Sequence, residues 1–142
     1  MFSHRTGIFA KFLPLASVHN IRVVLVNGPD YPGATSYSLE ERVRLLNVLA
    51  EATTNVDAAL PKMIAFLKED ARKLHRLLVR FVAHSKIPYA RPEDNSGGIV
   101  LVGWSLGVRW LTALLANIES FPDNSVDLSS YVRRVVFYGA YS

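Results

Sequence analysis

The chain has 142 residues, room for about one domain, and a domain of this length buries roughly two-thirds of its unfolded surface. Hydrophobic residues make up 50% of it and charged residues 20%, a balance that excludes general disorder. The net charge of +4 is too mild to argue for nucleic acid, and the lack of cysteine excludes disulfide scaffolds, cysteine nucleophiles and zinc–thiolate sites. No apolar run reaches the roughly 18 residues of a membrane span. Gly7–Val18 is broken by Lys11 and Pro14 and makes a poor secretory segment, so a cytoplasmic location is favoured.

Ile8–Ser17 reads as a short helix that Pro14 interrupts or ends. Ile21–Asn27 is β-branched, nearly all apolar, and bounded by Asn20 and Gly28-Pro29. That pattern predicts a strand buried on both faces. Asn27–Gly33 is dense in turn formers. Ser38 then opens a helix: with Glu41 three residues on, it fits a capping box. Val43, Leu46, Leu49 and Ala50 give that helix one apolar face, and Thr53-Thr54-Asn55 interrupts it.

The longest helix is expected to begin near Pro61, a good first-turn residue. Met63, Phe66, Leu67, Leu74, Leu77, Leu78, Phe81 and Val82 recur at helical spacing, and the helix should end before Pro88. Lys68, Arg72, Lys73, Arg76 and Arg80 invite a reading as a nucleic-acid or membrane-surface face. Their mixing with Glu69 and Asp70 favours a solvated outer face instead, with no nucleic-acid partner. Ala90–Gly98 is a polar loop and Ile99–Val102 a second buried strand. Leu111, Leu114, Leu115 and Ile118 mark a helix that ends before Pro122. Phe121–Ser130 is loop, and Val132–Tyr138 is a third strand with Arg133 and Arg134 near its start. Strands alternating with helices predict an α/β domain over residues 1–142, with a parallel sheet of about three strands and flanking helices.

Gly103-Trp104-Ser105-Leu106-Gly107 forms G-x-S-x-G between a strand and an amphipathic helix, the context this motif requires. A nucleophile on so sharp a turn needs neighbours without bulk. Gly103 and Gly107 supply that, and Gly107 is expected to admit no large side chain because strand and helix meet there. Ser105 then projects from the carboxyl end of the strand as the candidate nucleophile. The Leu106 N–H, at the positive end of the helix, is the candidate oxyanion donor.

These residues resemble the α/β-hydrolase superfamily. Ile21–Asn27 with Asp30-Tyr31-Pro32-Gly33-Ala34-Thr35 is similar to the family's fourth strand and following loop. Ile99–Gly107 is similar to the fifth strand and elbow, and Val132–Tyr138 to the sixth strand. The run Val23–Thr35 resembles most a subgroup common among fungal members. The resemblance implies a serine hydrolase acting on an ester or related carbonyl substrate, without cofactor or metal. It also implies a sheet of about eight strands, so the chain reads as the central slice of such a domain, impaired by truncation, with a partner chain as one way to complete the sheet.

The family's triad runs Ser, acid, His. Here His4, His19, His75 and His84 all precede Ser105, so the family's acid and histidine are not in this chain. His75 and His84 read as surface or helix-end residues. His4-Arg5-Thr6-Gly7 precedes the first helix, where the family often carries an oxyanion segment, but it departs from the usual motif. Glu119, Asp123 and Asp127 fall before the third strand, at the wrong end of a parallel sheet for this chemistry, and Asp30 reads as a turn residue. The alternative is a non-catalytic, hydrolase-like protein that binds a partner or a small apolar ligand.

Overall fold

The computed structural model describes residues 9–121 and 126–139. The chain divides into two compact units, Met1–Asn47 and Val48–Ser142.

In the first unit a 3₁₀ turn, Ala10–Phe12, leads into helix α1, Leu13–Val18. Pro14 lies in the first turn of α1, where its missing N–H has no helical partner to lose, so it marks the start of the α-helix rather than its end. Ile21–Asn27 does not form the expected strand. It has no regular secondary structure and no ladder partner among the described residues, and Ile21, Val24 and Val26 are exposed. β-Branched composition supplies only a preference; a strand exists when a neighbour takes its backbone hydrogen bonds. The following loop is tied by its own side chains. Asn27 Nδ2 donates to the Pro32 carbonyl at 3.1 Å, and Asp30 accepts from the Tyr37 N–H at 3.1 Å and from Arg42 Nη2 at 2.8 Å.

Helix α2, Leu39–Ala52, opens on the expected capping box. Ser38 Oγ accepts from the Glu41 N–H at 3.2 Å, and Glu41 Oε2 accepts from the Ser38 N–H at 2.8 Å. Its buried residue is Val48, whereas Val43, Leu46 and Leu49 are exposed. A helical stripe is buried only where another element covers it.

The second unit begins at Val48 within α2, and its next helix, α3, Val56–Ser85, starts five residues earlier than Pro61 predicts. Asn55 is the true start signal, its side chain accepting from the Ala58 N–H at 3.1 Å. Pro61 stands inside the helix, which continues past it. Lys86, at φ +49°, closes the helix with its N–H on the Val82 carbonyl, before Pro88. The buried stripe is Ala59, Phe66, Asp70, Ala71, His75, Leu78, Val79 and Val82, which includes two polar residues that the apolar pattern passed over.

Strand β1, Ile99–Trp104, is followed by helix α4, Gly107–Asn117, by 3₁₀ turns at Ile118–Ser120 and Leu128–Ser130, and by strand β2, Val132–Tyr138. The chain enters β1 through Gly97 and Gly98, both at positive φ. A Cβ at Gly97 would sit 2.1 Å from the Tyr89 carbonyl oxygen, and one at Gly98 would sit 2.5 Å from that of Tyr131. β1 and β2 form a two-stranded parallel sheet, Leu101 opposite Val135 and Trp104 opposite Tyr138. The fold is thus mixed helix and strand with two parallel strands among the described residues, not three. Both strands are half-buried rather than buried on both faces. Leu101 and Val135 pack on the core, while Val100, Val102 and Val136 on the other face are exposed. The core joins Ala71, Leu78, Val79 and Val82 of α3 to Leu111 and Leu114 of α4, closed by Phe121 and Leu128. Among the described residues no helix is long and apolar enough to cross a membrane.

Candidate active site

The turn between β1 and α4 is two residues long, and Ser105 occupies it at φ +51°, in the left-handed region that costs a residue with a side chain about 1–2 kcal/mol. The surroundings hold it there. The Ser105 N–H donates to the Tyr138 carbonyl at 3.0 Å, carrying the parallel ladder one bond past Trp104. The Ser105 carbonyl accepts from the Val108 N–H at 3.0 Å, and the Leu106 carbonyl accepts from the Arg109 N–H at 3.2 Å, so the helix tightens at once. Hydrogen bonds at both ends of the residue thus hold it in a conformation that costs free energy.

Gly103 lets α4 lie against β1. A Cβ on Gly103 would meet Leu111 Cδ1 at 3.0 Å and the Gly107 carbonyl carbon and oxygen at 3.2 Å. Gly107 differs from the expectation. A Cβ there would meet nothing within 4 Å, so the close approach uses the Gly107 backbone and not its missing side chain. The steric demand therefore belongs to Gly103.

The α4 N-terminus has no side-chain cap. Among the described residues the Leu106 N–H donates no hydrogen bond, leaving it one of the orphan donors of a helix start. It sits beside a partly exposed Ser105, and the Leu106 side chain is itself exposed. Trp104 is 41% exposed, and its Cδ1 and Nε1 lie 3.5 Å from where a Cβ on Gly139 would stand. That is ordinary van der Waals contact, and what favours glycine at 139 is its φ of +63°.

Among the described residues of the second unit, no candidate acid or histidine is brought to Ser105. His75 is not a surface residue: it is 3% exposed in the core, its ring edge-on to Phe121 at 5.3 Å. An imidazole at a core-facing position of α3 packs as an aromatic, and spacing alone cannot tell it from an exposed one. His84 is exposed in the last turn of α3, and His19 follows α1 in the first unit. His4–Gly7 and Asp123 lie outside the described residues. Glu119 follows α4 in a 3₁₀ turn. Asp127 caps the turn before β2, accepting from Ser129 Oγ at 2.6 Å and Ser130 Oγ at 2.7 Å. The Ser129 hydroxyl, with that of Ser130, holds its carboxyl below the usual carboxylate range. It serves the end of the sheet where Val132 pairs with Ile99, opposite to the Ser105 end. Asp30 pairs with Arg42 within the first unit, as a turn residue would. Among the described residues no three His, Asp or Glu side chains cluster as a metal site needs.

Sequence reading missed Gly97, Gly98 and Gly139 as positions demanded by geometry. The adjacent pair Gly97-Gly98 before an apolar strand was the available signal. Comparison of the chain with protein-family models, with curated proteins and with solved structures finds no match.

Proposed function

We propose that this chain carries the nucleophile elbow of an α/β-hydrolase-type serine hydrolase, with Ser105 attacking an ester or related carbonyl. The observation that carries the reading is the left-handed Ser105 on a two-residue strand-to-helix turn, with Gly103 packed on the Gly107 backbone. In the proposed reaction Ser105 Oγ bonds to the carbonyl carbon as a general base takes its proton. The carbonyl oxygen becomes an oxyanion facing the Leu106 N–H. Collapse expels the protonated leaving group and leaves an acyl-serine, which water then hydrolyses. In this reading the acid and the histidine base are not among residues 1–142, and without a base acyl transfer from ordinary esters is slower by orders of magnitude.

An activated electrophile tests the nucleophile apart from the base. A fluorophosphonate should label the wild-type chain at Ser105 and leave Ser105→Ala unlabelled. Equal labelling of both, or wild-type labelling at another residue, refutes the assignment.

A second reading is a non-catalytic, hydrolase-like binding protein. It is favoured by one observation, that His75 is packed in the core against Phe121 and Asp127 serves the end of the sheet opposite to Ser105. Absence of wild-type labelling, with the fold intact by circular dichroism, would select it.

A further inference from the structure

The first unit contains the chain's single Asn-Gly pair, Asn27-Gly28, in a segment with no helix or strand. We infer that this pair is a self-modification site, where the folded chain converts Asn27 through a succinimide into aspartyl and isoaspartyl forms. The reaction needs the backbone nitrogen of the following residue to reach the asparagine side chain, and three observations favour it here. Gly28 has no Cβ to block the approach. The Gly28 N–H donates no hydrogen bond among the described residues, so no ladder or helix holds its nitrogen. Asn27 and Gly28 are both partly open to water.

Other asparagines differ on the same criteria. After Asn20, the Ile21 N–H is held by the Ala16 carbonyl at 2.9 Å. After Asn95, the Ser96 N–H is held by the Arg91 carbonyl at 3.1 Å and by Asp94 Oδ1 at 3.0 Å.

The step balances with water and hydroxide alone. The Gly28 amide nitrogen loses its proton to hydroxide and bonds to Asn27 Cγ. The Cγ–Nδ2 bond breaks, and Nδ2 leaves as ammonia after taking a proton from water. Water then adds to one of the two ring carbonyls. Opening at one side gives aspartate; opening at the other gives isoaspartate, with the backbone rerouted through the side chain. Nothing is oxidised or reduced.

The structural consequence is local and one-way. Asn27 Nδ2 is the donor that ties this residue to the Pro32 carbonyl at 3.1 Å. Conversion removes the donor and puts a carboxylate against a carbonyl oxygen, three residues from Asp30, whose own carboxylate is already engaged by Arg42 and Tyr37. The tie across residues 27–32 is lost.

The test is peptide mass spectrometry of the full folded chain after incubation in mildly alkaline buffer. Trypsin releases Val23–Arg42, in which Asn27 is the only asparagine, and Ile87–Arg109, which carries Asn95. The Asn27 peptide should gain the mass difference between a hydroxyl and an amino group. It should split into two products, one of them a substrate for an isoaspartyl methyltransferase. The Asn95 peptide should keep its mass over the same period, and Gly28→Ala should slow the Asn27 conversion. Equal conversion of both peptides, or conversion of Asn27 only after unfolding in urea, overturns the inference.

Discussion

Exchanging each glycine of the Ser105 turn for alanine separates two roles that the motif treats alike. At Gly103 the new Cβ meets Leu111 Cδ1 at 3.0 Å and the Gly107 backbone at 3.2 Å. The leucine methyl can rotate away, but the Gly107 carbonyl belongs to the first residue of α4, so the helix itself must shift. Overpacking of this kind costs about 1–3 kcal/mol, and relief of glycine's backbone entropy in a strand returns roughly 0.5–1 kcal/mol. The net is a destabilisation of about 1 kcal/mol. At Gly107 the Cβ meets nothing and the residue is helical, so alanine gains about 0.5–1 kcal/mol from helix propensity alone. The two variants should differ by about 2 kcal/mol, roughly 6 °C in melting temperature for a chain of this size. Thermal melts followed by far-ultraviolet circular dichroism measure this directly. A Gly103→Ala chain as stable as wild type, or a Gly107→Ala chain that melts below it, would refute the packing described for this turn.

Ser105→Gly should abolish fluorophosphonate labelling yet raise stability by about 1 kcal/mol in a urea titration, because glycine occupies the left-handed region without strain. Leu114 is fully buried between α3 and the sheet, and Leu114→Ala should cost about 2–5 kcal/mol in the same assay. Asp127 has its carboxyl held below its ordinary value of 3.8, first by the Ser129 hydroxyl. A depressed carboxyl contributes stability that is present above the ordinary value and lost as pH falls through the folded one. Stability titrated downward from pH ~5 should therefore fall less steeply in Asp127→Asn than in wild type; parallel curves would show that these hydrogen bonds carry no linkage.

Signals local to a few residues were legible in the chain before any fold was known. The Ser38–Glu41 box, the end of α3 before Pro88 and the strand–turn–helix around Ser105 each depend on neighbours within a turn or two, and each is where the spacing places it. Local signals also competed. Asn55, whose side chain answers a free N–H, outranked Pro61 as the start of α3, and Pro14 lies in the first turn of a helix it was expected to interrupt or end.

Tertiary structure decided the rest, because burial and pairing depend on what lies opposite. Ile21–Asn27 has the composition of an inner strand, yet with no ladder partner among the described residues it forms none. Val43, Leu46 and Leu49 of α2 and the valines of one sheet face stay exposed, while His75 and Asp70, polar by composition, fall on the side of α3 that is covered. The two glycines of the motif are equivalent as letters. Only the approach of α4 to β1 gives one of them a neighbour at 3.0 Å and leaves the other facing open space.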